Sequence, residues 1–114
     1  MSVSTHVLDT VTGRPAVGVL VVLEKLDEQA DPARWTLLAE RVTDPEGRIA
    51  DFASSRPTAA GSGNVRLRFD TGGYFRGETF YPEVIVTFAI QDPAAHHHVP
   101  LLLSPYGYST YRGS

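Results

Sequence analysis

Apolar and polar residues alternate with a period of two along most of the chain, the spacing at which successive side chains of a β-strand face opposite ways. Val3, Thr5 and Val7 alternate with Ser4, His6 and Leu8, which predicts a short first strand ended by the turn-prone Thr12-Gly13-Arg14-Pro15. The stretch from Val17 to Leu26 is rich in β-branched residues and apolar on both faces at its centre, as in a strand covered on two sides. After a polar loop from Asp27 to Ala33, Trp35 to Val42 predicts a third strand. The turn Asp44-Pro45-Glu46-Gly47 then delivers Arg48, Ile49 and Phe52 into a fourth, so the order to this point reads as a meander. Val65, Leu67 and Phe69 alternate with Asn64, Arg66, Arg68 and Asp70, a half-buried strand with a charged outer face. Thr71 to Gly77 has room for one short helical turn, and Gly72, Gly73 and Gly77 oppose anything longer. Val84, Val86, Phe88 and Ile90 share a strand face, and past the break at Gln91-Asp92-Pro93 two further strands are predicted, Val99 to Ser104 and Tyr106 to Arg112. About eight short strands and one short helix in this length predict an all-β, two-sheet sandwich, with residues 1–114 as one domain.

Composition narrows the picture further. Apolar residues make up 42% and charged ones 20%, too rich in valine, leucine and aromatics for a disordered chain. A formal charge of −3 with the signs interspersed provides no basic patch, so no nucleic-acid partner is expected. The absence of cysteine removes disulfides, thiolate zinc sites and cysteine nucleophiles together. The longest apolar run, Val17 to Leu23, falls far short of the roughly 20 residues that span a bilayer, and no membrane association is expected. The first residues carry neither a basic start nor an apolar signal core, which makes the cytoplasm the expected location. Repeats are absent, and Ser54 to Gly63 is the loosest stretch.

Candidate chemistry is sparse. No Gly-x-Ser-x-Gly elbow, phosphate loop, dinucleotide fingerprint or His-Glu-x-x-His pair occurs, so any hydrolysis must use water and a histidine. His96, His97 and His98 invite a metal reading, but in a strand His96 and His98 face one way and His97 the other, so at most two can meet at one site. Taken singly, His6 reads as a packing residue and Arg48 as a solvated edge residue. The C-terminus is unusual: Ser104 to Ser114 packs three tyrosines, several hydroxyls and an arginine against the end of the chain, where most proteins have a polar tail.

Taken together, these residues resemble the transthyretin-like 5-hydroxyisourate hydrolases. The resemblance runs in order through Thr5-His6-Val7-Leu8-Asp9, Gly13-Arg14-Pro15-Ala16, Thr43 to Gly47 leading to Arg48, and His98-Val99-Pro100-Leu101-Leu102-Leu103-Ser104-Pro105-Tyr106. It ends on Tyr111-Arg112-Gly113-Ser114, which is similar to the tetrapeptide that separates the hydrolases from transthyretin, the hormone carrier on the same fold. The carrier also differs at the positions of His6, Arg48 and His98. One departure stands out: the family commonly has an aromatic residue where this chain has His97.

The resemblance implies a transthyretin-like (prealbumin-like) sandwich assembled as a homotetramer, a dimer of dimers with active sites in the channel between dimers. It implies a small-molecule substrate, 5-hydroxyisourate, a flat oxidised purine made from urate, opened by water to a carboxylate without a cofactor or metal. His6, Arg48, His98 and Ser114 are the expected catalytic residues, and His6, Arg48, Tyr111 and Arg112 the expected substrate contacts. His98 and His6 are both candidates for the base, and Arg48 offers a permanent cation with a planar fork of donors. Ser114 would orient a histidine or the water, and Tyr111 would pack on the ring. Three other readings stand beside this one: a carrier of a small aromatic ligand without turnover, a β-sandwich interaction domain, and a metal-dependent hydrolase using His6, His96 and His98.

Overall fold

A computed structural model describes residues 2–52 and 63–114. Among them are nine strands, β1 (Ser2–Asp9), β2 (Arg14–Pro15), β3 (Leu20–Asp27), β4 (Arg34–Val42), β5 (Arg48–Ile49), β6 (Gly63–Phe69), β7 (Val84–Ile90), β8 (His96–Ser104) and β9 (Gly107–Thr110), and one helical turn, α1 (Thr71–Tyr74). They form two sheets. One has the order β2-β1-β8-β9 with β5 also paired to β1, and the other has the order β4-β3-β6-β7.

Period-two patterning decides the faces. On β1 the buried residues include Val3, Thr5, Val7 and Asp9, and on β6 they are Val65, Leu67 and Phe69. These side chains meet Val21 and Leu23 of β3 and Leu101 and Leu103 of β8 between the sheets, in a core whose members are almost all fully buried. Each such apolar side chain contributes about 1.5–3 kcal/mol by leaving water. The charged outer face expected for β6 is paired rather than simply solvated. Arg66 and Arg68 place their Nε atoms 2.8 and 2.9 Å from Glu24 Oε1 on β3, and Arg66 also lies 4.2 Å from the Trp35 ring centroid.

The expected meander is corrected by the pairing. β1 runs parallel to β8, with Ser4 opposite His98 and His6 opposite Pro100, and β5 joins β1 rather than β4. Alternation reports which face a residue takes, whereas partner choice depends on contacts far apart in sequence. Boundaries also move: β3 starts at Leu20 with Val17 left exposed, β8 starts three residues earlier than the expected Val99, and β9 stops at Thr110. Apart from Gly63, the stretch from Ser54 lies outside the described residues. Among the described residues no helix is long and apolar enough to cross a membrane.

The helical turn is tied to the first sheet by one bond. Tyr74 donates its hydroxyl to Asp9 Oδ2 at 2.8 Å, while Asp9 Oδ1 accepts from the amides of Val11 and Thr12. Burial, then the bond to Asp9 and its charge, push the Tyr74 pKa up to about 12. Because Asp9 is buried, Tyr74→Phe leaves a carboxylate oxygen short of a partner and should lower stability by about 1–3 kcal/mol, read as a shift in the urea midpoint at constant slope.

Candidate active site

The Asp44–Gly47 turn is locked by its own polar groups. Asp44 Oδ1 accepts the amides of Glu46 and Arg48 at 2.8 and 2.9 Å, and the Gly47 amide bonds the Asp44 carbonyl at 2.8 Å. Gly47 has φ 75°, and a Cβ there would come within 2.5 Å of the Val7 carbonyl oxygen, so only glycine lets the turn lie this close to β1. The closeness matters because it pairs Arg48 with His6 across β1 and β5. His6 Nε2 donates to the Glu46 carbonyl at 3.0 Å, which fixes the hydrogen on that nitrogen and leaves Nδ1 as the acceptor in the neutral ring.

His98 arrives from β8. The parallel pairing of β1 and β8 sets it opposite Ser4, whose hydroxyl lies 2.6 Å from His98 Nδ1 and 2.8 Å from His96 Nε2. His96 Nδ1 in turn reaches the Ser2 hydroxyl. Among the described residues no hydrogen bond is made to His98 Nε2, so one ring nitrogen of this histidine is uncommitted. Burial, followed by the charge of Arg48 and then those of His96 and His6, holds the His98 pKa below the ordinary imidazole value of 6.5. It is therefore a neutral imidazole at neutral pH.

The chain end closes the arrangement. The Gly113 amide donates to the His98 carbonyl at 2.8 Å, and the Thr110 hydroxyl donates to the Pro100 carbonyl at 2.7 Å, so the last residues run along β8 past the end of β9. Ser4, Thr5, Arg48, Ile49, Ala50, His96, His98 and Ser114 line a pocket of about 280 Å³. Arg48, His98 and Ser114 are brought together in it, with His6 beside Arg48 on the same strand pair.

Tyr111 and Arg112 are placed elsewhere. They line a second pocket of about 260 Å³ together with Val86, Phe88, His97 and Val99, and His98 alone is common to both pockets. His97 faces the sandwich interior, as alternation requires, with its ring centroid 6.2 Å from that of Phe88 and its Nδ1 unpartnered. Among the described residues no group of three histidine or carboxylate side chains is arranged to hold a metal ion. Sequence reasoning missed Ser4. Its signal was the shared face with His6, but its place between two histidines follows only from the β1–β8 register.

Comparison with known proteins adds an independent line. The HIUase/Transthyretin family model matches residues 3–113. The chain is 48% identical over 114 residues to the 5-hydroxyisourate hydrolase of Salmonella dublin, a match that covers 97% of this chain and 79% of that protein. The solved structure of Klebsiella pneumoniae 5-hydroxyisourate hydrolase superposes with a TM-score of 0.83 at 37% identity, covering 100% of both chains. Transthyretin from Sparus aurata superposes with a TM-score of 0.83 at 28% identity, covering 97% of this chain and 95% of that one.

Proposed function

From the premise that this chain belongs to the HIUase/transthyretin family, we propose that it is an enzyme that hydrolyses 5-hydroxyisourate, with His98 as the base and Arg48 as the stabilising cation. The observation that carries the reading is the meeting of Arg48, His98 and Ser114 around one small pocket, with His6 next to Arg48. A carrier needs shape and apolar surface, and has no use for a neutral imidazole beside a fixed cation.

The chemistry follows from the groups present. His98 Nε2 takes a proton from water, whose oxygen attacks the ring carbonyl carbon. Negative charge collects on the carbonyl oxygen, where the Arg48 guanidinium stabilises it. The C–N bond then breaks, the ring nitrogen leaves with the proton returned by His98, and a ring-opened carboxylate is released. His98 is favoured over His6 as base because His6 already spends its Nε2 hydrogen on the Glu46 carbonyl and stands beside the pocket, whereas His98 lines it and is kept neutral by burial and Arg48. Ser114, which lines the same pocket, is read as holding the water or the His98 ring. Tyr111 and Arg112 would then reach substrate only through a neighbouring subunit or from the rim. A homotetramer with sites between dimers fits that requirement, and the exposed Tyr108 and Tyr111 at the chain end are available for such contacts.

The decisive experiment generates 5-hydroxyisourate in situ by oxidising urate and follows its ultraviolet decay with and without the protein. Acceleration is the expected result. An unchanged decay in the presence of folded protein would move the assignment to a ligand carrier.

A further inference from the structure

We propose that Ser4 is a positioning residue whose hydroxyl, closed between His98 and His96, holds the His98 hydrogen on Nδ1 and keeps Nε2 free to accept a proton in the pocket. The inference rests on the hydrolase reading and deepens it. Ser4 is only 6% exposed, and its oxygen lies within hydrogen-bond distance of both rings. A hydroxyl has a single hydrogen to donate. Among the described residues the two rings are its only partners, so the Ser4 hydrogen goes to one ring and the other ring donates to the Ser4 oxygen, and the two choices are opposite in their consequence for His98.

In the first arrangement His98 Nδ1–H donates to Ser4, Ser4 donates to His96 Nε2, and His96 Nδ1–H donates to Ser2, leaving a lone pair on His98 Nε2. In the second every bond is reversed and His98 Nε2 carries the hydrogen. Arg48 decides between them. It lines the same pocket and offers only donors, so a ring nitrogen facing that space is better satisfied as an acceptor than as a second donor. The resting enzyme is thus in the base-competent arrangement.

The same chain gives His98 a way to accept a proton without becoming an imidazolium beside Arg48. As Nε2 gains the proton from water, Nδ1–H passes to the Ser4 oxygen, the Ser4 hydrogen passes to His96 Nε2, and His96 Nδ1–H passes to Ser2. The former Ser2 hydrogen leaves to solvent at the exposed end of the row. One proton enters and one leaves, and when His98 gives its Nε2 proton to the leaving nitrogen every transfer reverses and Ser2 regains a proton from solvent, so both rings stay neutral throughout. His96 is thereby given a role other than the metal ligation weighed from its sequence neighbours.

The test is nitrogen NMR of the full chain labelled at histidine, at a pH above the imidazole range, where the two neutral tautomers have distinct signatures. Wild-type His98 should report Nδ1–H, and Ser4→Ala should shift it toward Nε2–H. In the hydrolysis assay, Ser4→Ala should lower kcat about tenfold with KM within about twofold, part of the roughly 10²–10⁴-fold a positioned base supplies. Ser4→Thr, which keeps the hydroxyl, should restore both readouts. A wild-type His98 hydrogen on Nε2 would overturn the proposal even if Ser4→Ala failed to fold, and so would a Ser4→Ala enzyme with unchanged tautomer and kcat. The expected tautomer in a protein that opens no substrate would uphold the placement of Ser4 and overturn the hydrolase reading instead.

Discussion

Arg48→Gln is expected to lower kcat for ring opening by about 10²–10³-fold, the usual consequence of removing one donor aimed at a developing oxyanion. A second effect should accompany it and separates Arg48 from a merely structural residue. The active form of His98 is neutral, so activity should rise with pH through its pKa, which lies below 6.5, and level off across the neutral range. Burial is the first cause of that lowering and Arg48 the next. Taking the cation away lets the His98 pKa climb back toward the ordinary value, so the acid limb of the kcat/KM profile should move to higher pH in Arg48→Gln. Arg48→Lys keeps the charge and should hold the acid limb near its wild-type place, yet it lacks the planar fork and should recover little of the rate. A variant with full activity would remove Arg48 from the chemistry. One with lost activity but an unmoved limb would leave its charge unlinked to His98.

The faces of the strands were legible because a period of two is a local property. Val3, Val7, Leu67 and Phe69 point inward as their spacing requires, and so does His97, which alternation set apart from His96 and His98. Pairing was not legible in the same way. Nothing near Ser4 announces that ninety-four residues later a histidine will lie opposite it, and the parallel register of β1 and β8 is the whole reason that it does. The four expected catalytic residues stood out only jointly as candidates, since His6, Arg48, His98 and Ser114 each have an ordinary structural explanation when taken alone. Tyr111 and Arg112 show the limit of that approach. They belong to the same terminal tetrapeptide as Ser114, but Ser114 lines the pocket that holds Arg48 while Tyr111 and Arg112 line the pocket that holds His97.

The fold itself is neutral on function. A 5-hydroxyisourate hydrolase and a transthyretin superpose on this chain equally well, so the scaffold supplies rigid strands and a groove while a few polar side chains determine what happens there. Here the candidate side chains sit on β1, β5 and β8 of one sheet, with Ser114 just past β9. Placing His6, Arg48 and His98 on paired strands fixes their distances, and catalysis by positioned groups depends on such distances.

Gly113→Ala should therefore reduce activity by about 10²-fold while leaving the fold intact. A Cβ on Gly113 would overlap His98 Cδ2 and stand 3.1 Å from Cγ and 3.3 Å from Cβ of the same side chain. The ring is the neighbour that must give. If it rotates, the 2.6 Å bond from Nδ1 to Ser4 is broken and Nε2 is displaced with the ring. If instead the chain end lifts, the 2.8 Å bond from the Gly113 amide to the His98 carbonyl goes and Ser114 moves away with it. Either route misplaces a reacting group by about 1 Å, which is enough for a loss of this size. Stability should change by less than about 1 kcal/mol, because Gly113 lies outside the core. The measurement pairs the decay assay with a urea titration of the same preparation. A rate loss at an unchanged urea midpoint locates the effect in the site, and a Gly113→Ala enzyme that turns over at the wild-type rate would show that the position of the His98 ring does not limit the reaction.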